Sequence, residues 1–234
     1  MKPIFPYFEN HVEYDPSMER MTDIHLYTGS FCNRTCDFCI VYGEPKGWYQ
    51  PIDIDHLELA FRLLAPDGNV KFYVGEPTLD HENILYAIRE FRRLGFRGWF
   101  TLFTNGIQAG RVIELLESDE RVEAVLNYSI LHGEGAEPIP EPALEKLKKY
   151  AERHPNRIYC SHQDLVPIGR GFDRREPARG DFEGGCARCR PVVTTQGRLH
   201  ACPFAVEFDS PHYDLGDVST PEATAQANYH KFLR

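Results

Sequence analysis

Strand and helix patterns alternate along this chain from residue 22 to residue 161. Hydrophobic residues recur at strand spacing in short segments and at helix spacing between them. The first helix is predicted to begin at a capping box over Asp55–Glu58 and to stop at Pro66-Asp67-Gly68. Because such alternation builds βα units on a parallel sheet, the sequence predicts an α/β fold. The predicted strands span residues 22–28, 70–74, 99–103, 122–130 and 157–161.

Three cysteines follow the first predicted strand. Cys32, Cys36 and Cys39 have a C-x3-C-x2-C spacing, and thiolates bind zinc, copper(I) and iron–sulfur centres. A closed zinc site takes four ligands, commonly with cysteines in pairs, whereas this loop offers three at unequal spacing. Three thiolates on a cubane would leave one iron without a protein ligand, and that iron is a place for chemistry. A structural zinc ion and idle thiols are the alternatives.

Unusual residues also follow the next predicted strands. Gly75-Glu76-Pro77 comes after the second strand, Thr104-Asn105-Gly106 after the third, and Ser129 lies at the end of the fourth. The carboxyl ends of parallel strands share one edge, and active sites of parallel sheets lie there. These residues and the cysteine loop therefore predict an active site at that edge, although Asn105-Gly106 alone would read as a plain turn.

Composition excludes several classes of function. A formal net charge of -9 and a pI near 5.6 argue against nucleic-acid binding, which relies on clustered Lys and Arg. No apolar run reaches the length of a membrane span, and the N-terminus, residues 1–6, lacks the hydrophobic region of a signal peptide. We therefore expect a soluble, cytoplasmic protein with neither nucleic acid nor membrane as partner. In that reducing compartment the 7 cysteines favour metal binding over disulfides.

A second cysteine group lies near the end of the chain. Cys186 and Cys189 precede two short predicted strands that are joined by a turn at Gln196-Gly197, and this hairpin brings Cys202 back toward the pair. The alternative is a zinc knuckle with His200 as its fourth ligand. Cys160 falls inside a predicted strand, where a free cysteine is most often a small buried hydrophobe.

These motifs together resemble those of the radical S-adenosylmethionine (SAM) enzymes. The resemblance covers roughly residues 20–165, and it implies a partial (β/α)6 barrel with a [4Fe-4S] cluster on Cys32, Cys36 and Cys39. It also implies that SAM chelates the open iron and is cleaved to methionine and a 5′-deoxyadenosyl radical, which takes hydrogen from the substrate. Flavodoxin or ferredoxin would supply the electron.

The resemblance assigns SAM-binding roles by motif position. Backbone atoms near Phe38 would meet the adenine, and Gly75 and Glu76, followed by Pro77, would hold the methionyl amino group. Asn105 and Ser129, with neighbours such as Thr104, would lie near the ribose or the carboxylate. Val74 stands where the family usually has the first glycine of Gly-Gly-Glu-Pro, which would narrow the SAM pocket slightly.

The end of the chain is similar to the auxiliary-cluster region of the SPASM and twitch subfamilies. Cys186, Cys189 and Cys202-Pro203 fit its outline, and this implies a second iron–sulfur cluster. The subfamily's later C-x2-C does not occur before Arg234. The missing ligand stays open between Cys160, a non-cysteine group, the substrate and a chain that continues further. The resulting domains are an N-terminal extension (1–20), the barrel (21–166) and a cysteine-rich hairpin region (167–234).

Residues 162–171 carry the remaining resemblance. His162-x-Asp164-Leu165-Val166, followed by Arg170, is similar to a stretch of the twitch-type dehydrogenases that oxidise an aminocyclitol. Each of these three polar residues is a candidate catalytic group, and a turn-stabilising role is the alternative. The expected function is oxidation of a small alcohol or aminocyclitol, or modification of a peptide, with the auxiliary cluster as electron acceptor. The alternatives are a glycyl-radical-enzyme activase and a non-enzymatic iron–sulfur or zinc scaffold.

Overall fold

The computed structural model describes residues 4–9, 20–36, 39, 41–126, 138–161, 190–203, 206 and 211–232. Strands and helices alternate as predicted through residue 160. The elements are β1 (Met21–Gly29), α1 (Ile54–Leu63), β2 (Leu64–Val74), α2 (His81–Arg93), β3 (Trp99–Thr104), α3 (Ala109–Glu117), β4 (Val122–Leu126), α4 (Glu141–Arg153), β5 (Ile158–Cys160), β6 (Val192–Thr194), β7 (Arg198–His200), β8 (Asp214–Asp217) and α5 (Glu222–Phe232).

All eight strands form one sheet in the order β5-β4-β3-β2-β1-β6-β7-β8. Neighbouring strands from β5 across to β6 run parallel, whereas β7 and β8 are antiparallel. The α/β fold predicted from the alternation is therefore confirmed, and so is the C-terminal hairpin. That hairpin continues the main sheet, because β6 pairs with β1. The (β/α)6 barrel and the domain boundaries stay predictions.

Alternate residues of the strands face two different environments. One face packs against all five helices and forms the apolar core, to which Ile24, Phe72, Phe100 and Leu126 belong. The other face carries buried polar side chains on neighbouring strands, which are Asp23, His25, Asn69, Lys71, Thr101 and Glu123. Such alternation is unusual for parallel strands, which commonly read as continuous apolar runs.

A charged group lies at the centre of this polar face. The Lys71 ammonium is 2.9 Å from Oδ1 of Asp23, and the Arg190 guanidinium contacts Oδ2 of the same carboxylate. Burial lowers the pKa of Lys71 to about 8, while the charge of Glu123 opposes that shift. Burial and then the Lys71 charge lower the pKa of His25 to about 3, so this imidazole is neutral at physiological pH. The group ties β1 and β2 to the residues that lead into β6.

Two boundaries of the first βα unit differ from the prediction. The N-cap of α1 is Asp53 instead of Asp55, and its backbone N–H donates to Nδ1 of His56 at 3.3 Å. Helix α1 then ends at Leu63 and passes directly into β2. The Pro66-Asp67-Gly68 segment is a bulge inside that strand, where the register jumps from Met21↔Leu64 to Asp23↔Asn69.

The N-terminal segment covers one edge of the sheet. Tyr7 forms a parallel bridge with Cys160 on β5, and the N–H of Phe8 donates to the carbonyl of Cys160 at 2.9 Å. Within the described ranges, no helix is both long and apolar enough to cross a membrane.

Candidate functional site

The cysteine loop leaves β1 at the carboxyl edge of the sheet and is held there by the segment from Glu44 to Trp48. The N–H groups of Ser30 and Phe31 both donate to the carbonyl of Trp48, at 2.8 and 3.0 Å. The N–H of Cys32 donates to the carbonyl of Glu44 at 3.0 Å. These backbone bonds fix where the first cysteine stands relative to β1.

The three predicted ligands lie in this loop at different depths. Cys32 is buried, and Cys36 and Cys39 are half-buried. The N–H of Gly43 donates to the Cys39 sulfur at 3.1 Å, and the N–H of Arg34 donates to the Cys32 sulfur at 3.4 Å. Burial raises the pKa of Cys32 to about 12, so metal binding at this thiol would release its proton.

Gly43 makes room between two of these cysteines. A Cβ at this position would stand 3.2 Å from the Cβ of Cys32, 3.4 Å from the sulfur of Cys39 and 3.5 Å from the Cα of Gly75. Across the described part of the chain, no three His, Cys, Asp or Glu side chains converge closely enough to hold a single metal ion. Three thiols in one loop, two of them beside a gap kept clear by a glycine, are the soft donors that an iron–sulfur cluster takes.

The Gly75-Glu76-Pro77 motif runs directly against the cysteine loop. The N–H of Gly75 donates to the carbonyl of Gly29 at 2.9 Å, and the N–H of Glu76 donates to the carbonyl of Phe31 at 3.0 Å. A Cβ on Gly75 would lie 2.2 Å from that Phe31 oxygen. Only glycine allows this close approach, which places the second motif beside the first.

The Glu76 carboxylate joins the ends of β2 and β3. It is buried, and it accepts four hydrogen bonds: from the N–H and hydroxyl of Thr78 (3.1 and 2.7 Å), from the hydroxyl of Thr104 (2.7 Å) and from the N–H of Asn105 (2.8 Å). Burial raises the pKa of Glu76, and these hydrogen bonds oppose the rise. The residue predicted to hold SAM is therefore also a structural joint between two motifs.

Glu76→Gln is expected to lower the free energy of unfolding by about 1–3 kcal/mol, because an amide presents its own hydrogens to donors that need an acceptor. Urea unfolding of the metal-free protein measures this effect. Glu82→Gln is the matched control, since the Glu82 side chain is 88% exposed, and it should change stability by less than about 0.5 kcal/mol. Equal stabilities of the two variants would contradict the role of Glu76 in linking the ends of β2 and β3.

Thr104-Asn105-Gly106 forms a tight turn at the end of β3. The N–H of Gly106 donates to the Thr104 hydroxyl at 3.1 Å, and Gly106 has φ +73, the left-handed region that favours glycine. The Asn105 amide nitrogen donates to Oδ1 of Asn33 at 2.8 Å and lies 3.9 Å from the Cys32 sulfur. This turn thus reaches the cysteine loop through a side chain.

The structure brings together Cys32, Cys36, Cys39, Gly75, Glu76, Pro77, Thr104 and Asn105, all at one edge of the sheet. The roles predicted for them in cluster and SAM binding stay predictions. Seven further candidates lie outside the described residues: Phe38, Ser129, His162, Asp164, Arg170, Cys186 and Cys189.

The two remaining cysteines are buried elsewhere in the sheet. Cys202 follows β7, close to the buried His200. Cys160 lies in β5, where its thiol donates to the carbonyl of Phe5 at 3.4 Å and burial raises its pKa. The N-terminal segment packs over Cys160, as expected for a small buried hydrophobe.

A buried carboxyl group near the site was not singled out from the sequence. Asp80 lies at the start of α2, and its Oδ2 accepts from the hydroxyl of Thr28 at 2.6 Å and from the amide of Asn83 at 3.2 Å. Asn83 in turn accepts from the N–H of Ile52 at 2.8 Å. Burial raises the pKa of Asp80 to about 6. An Asp before a helix reads as an ordinary cap, so the sequence carries no signal of this network.

The Asp80→Asn variant is expected to gain stability relative to the natural protein when the pH is raised from 4 to 7, because only the natural protein loses the contribution of the Asp80 proton. The folded protein keeps the Asp80 proton up to about pH 6, whereas the unfolded chain loses it near 3.8. The stability contribution of this group is therefore present at low pH and lost between these values. Urea unfolding at pH 4 and pH 7 should show a relative gain of about 2–3 kcal/mol for the variant.

Asp119→Asn provides the control of opposite sign. Burial is the largest single influence on the pKa of Asp119 and raises it, but the hydrogen bonds from Arg92, at 2.7 and 2.8 Å, and from the N–H of Arg121, with the charges of Arg92 and Arg157, together lower that pKa below its usual value. This variant should lose stability at pH 7 relative to pH 4. A difference between Asp80→Asn and the natural protein that stays constant from pH 4 to pH 7 would contradict the assignment.

Comparison with known proteins relies on solved structures, because no family model and no curated protein matches the chain. BtrN in complex with AdoMet and 2-DOIA aligns over 91% of this chain and 87% of its own, with 18% identity and a TM-score of 0.59. AnSMEcpe with bound AdoMet and the Kp18Cys peptide aligns over 90% of this chain and 82% of its own, with 15% identity and a TM-score of 0.58.

Both similar structures are radical SAM enzymes with AdoMet bound. At these identities the likeness concerns the fold, and it extends over 90–91% of this chain and 82–87% of the similar structures. The family resemblance drawn from the three motifs predicted the same fold. This chain therefore has the fold of the radical SAM enzymes.

Proposed function

We propose that the chain is a radical SAM oxidoreductase. The observation that carries the proposal is the convergence of Cys32, Cys36 and Cys39 with Gly75-Glu76-Pro77 and Asn105 at the carboxyl edge of the sheet. The bound [4Fe-4S] cluster and SAM would supply reductive cleavage of SAM to methionine and a 5′-deoxyadenosyl radical that removes hydrogen from the substrate. The three thiolates would hold the cluster and leave one iron for SAM.

The remaining machinery would complete a two-electron oxidation. The carbon to be oxidised would lose one hydrogen atom to the 5′-deoxyadenosyl radical, and its hydroxyl would lose a proton to a base. We assign that base to His162 or Asp164, and Arg170 to substrate binding. Cys186, Cys189 and Cys202 would hold an auxiliary iron–sulfur cluster, which would accept the last electron. A reductase such as flavodoxin or ferredoxin would supply the electron that starts the reaction.

A small polar alcohol or an aminocyclitol is the first candidate substrate. The similar BtrN structure holds 2-DOIA. A peptide is the second candidate, since the similar anSMEcpe structure holds one.

Anaerobic reconstitution tests the proposal. The protein is loaded with iron and sulfide, reduced, and given SAM, and the product mixture is assayed for 5′-deoxyadenosine. Formation of 5′-deoxyadenosine supports the assignment, and its absence from a cluster-loaded protein would sink it. An iron content of about eight atoms per chain supports the auxiliary cluster. An iron content of about four atoms, or zinc bound at Cys202, would mean that no auxiliary cluster is present to accept an electron. Product analysis with aminocyclitols and with Cys- or Ser-containing peptides then separates the two substrate classes.

A further inference from the structure

Asn105 has a side chain whose orientation is fully determined by its neighbours. Its Oδ1 accepts from the N–H of Ile107 at 3.1 Å, and its Nδ2 donates to Oδ1 of Asn33 at 2.8 Å. Its own N–H donates to Glu76 at 2.8 Å. The amide therefore has its nitrogen toward the cysteine loop and its oxygen toward its own turn.

The same amide nitrogen lies beside a predicted cluster ligand. Nδ2 of Asn105 is 3.9 Å from the Cys32 sulfur, and that sulfur is 4.0 Å from Oδ1 of Asn33. An amide nitrogen carries two hydrogens, so one can serve Asn33 while the other is directed at the sulfur. Asn33 and Asn105 are separated by 72 residues in the chain, and the contact exists only because the strand ends converge.

We propose that Asn33 is a positioning residue: it turns the Asn105 amide N–H toward the Cys32 sulfur, and this donation raises the reduction potential of the cluster held there. The inference rests on the proposed function, since it needs a cluster on Cys32. Hydrogen bonds to ligand sulfurs are among the groups that set the potential of iron–sulfur clusters. A donated N–H favours the reduced cluster because the reduced form carries more negative charge.

Asn105 differs from the other donors at these sulfurs. The groups that donate to Cys32 and Cys39 from Arg34 and Gly43 are backbone N–H groups, and they survive any side-chain change. The Asn105 donor to the Cys32 sulfur is a side-chain amide, so a substitution at Asn105 can remove it. Its backbone bond to Glu76 also links that donor to the predicted SAM site.

Redox titration of the reconstituted protein without SAM, followed by the EPR signal of the reduced cluster, tests the inference. Asn33→Ala and Asn105→Ala should each lower the midpoint potential, by about a tenfold shift in the ratio of oxidised to reduced cluster, which is 59 mV for one electron. The double variant should shift no further, because both changes remove one hydrogen bond. Asn228→Ala, whose amide donates to the carbonyl of Leu215, should leave the potential unchanged.

A charge-matched pair of variants separates hydrogen bonding from charge and keeps the side-chain shape. Asn33→Asp and Asn105→Asp each place one negative charge about 4 Å from the Cys32 sulfur, at positions now 4.0 and 3.9 Å from it. Only Asn105→Asp loses the donor, so its potential should be the lower of the two. Equal potentials in this pair, or additive shifts in the alanine variants, would overturn the inference.

Different results would overturn the proposed function and the positioning role of Asn33. A natural protein that assembles no cluster, or that assembles one and forms no 5′-deoxyadenosine, overturns the proposed function. A natural protein that does both, with an Asn33→Ala variant of unchanged potential, overturns the positioning role alone. Thermal unfolding of the metal-free variants reports folding independently of the cluster, and Asn33 is exposed, so its change should be close to neutral there.

Discussion

Cys36→Ala is expected to abolish reductive SAM cleavage and to remove the iron bound at the first cysteine loop. The proposed cluster has three protein ligands, and we expect two thiolates to be too few to retain it. Cys36 is half-buried, so its loss should change the free energy of unfolding by less than about 1 kcal/mol. Iron content, 5′-deoxyadenosine formation and urea unfolding, measured on one preparation, separate loss of the cluster from loss of the fold.

Cys160→Ala is the control for this experiment. Cys160 is 2% exposed and belongs to the apolar core, so its truncation should cost roughly 1–2 kcal/mol of stability. Its SAM cleavage should nevertheless match that of the natural protein. A Cys36→Ala protein that still forms 5′-deoxyadenosine at the natural rate would refute the first site. Loss of only the second set of iron in Cys160→Ala would make Cys160 the missing auxiliary ligand.

Gly75→Ala should be strongly destabilising, because the added methyl group meets backbone atoms of the cysteine loop. The new Cβ would lie 2.2 Å from the carbonyl oxygen of Phe31 and 2.6 Å from the carbonyl carbon of Ser30. Both are backbone atoms, so relief requires the cysteine loop to move away from the end of β2. We expect a loss of about 3 kcal/mol in the free energy of unfolding, together with impaired iron uptake.

Gly110→Ala is the matched control, since the same methyl group enters an open position. Gly110 lies in α3, and its added Cβ would meet only the flexible end of Lys146, at 3.3 Å. Replacing a helical glycine by alanine gains about 0.5–1 kcal/mol. The two substitutions should therefore shift stability in opposite directions. A Gly75→Ala protein with natural stability would show that the loop and the motif do not approach as described.

Local sequence patterns predicted the elements whose geometry repeats along the chain. Strands β1 to β5 and the helices between them follow from hydrophobic periodicity, because each presents one regular face to the core. The order of the cysteine loop, Gly75-Glu76-Pro77 and Thr104-Asn105-Gly106 predicted the shared edge for the same reason. The end of each strand can be predicted from the local sequence, and the carboxyl ends of parallel strands lie at the same edge of the sheet.

The features that sequence reasoning missed depend on partners far away in the chain. Strand β8 contains Gly216 with φ +128 and has no clear alternation, and it is a strand because β7 offers its edge. The pairing of β6 with β1 has no local signature either. Asn33 and Glu76 likewise show their structural roles only once the strand ends have converged, as the four donors to Glu76 come from two separate turns.

The pairing of β6 with β1 has a consequence for which cysteines could share one cluster. Val192 on β6 lies opposite both His25 and His200, so Cys202 falls near the level of Asp23, at the amino edge of the sheet. Gly29 and the first cysteine loop stand at the other edge, roughly 20 Å away at the rise of a strand. A single cluster could therefore not bind both Cys202 and the first cysteine loop. The length of β1 thus keeps Cys202 apart from the first cluster proposed for this chain.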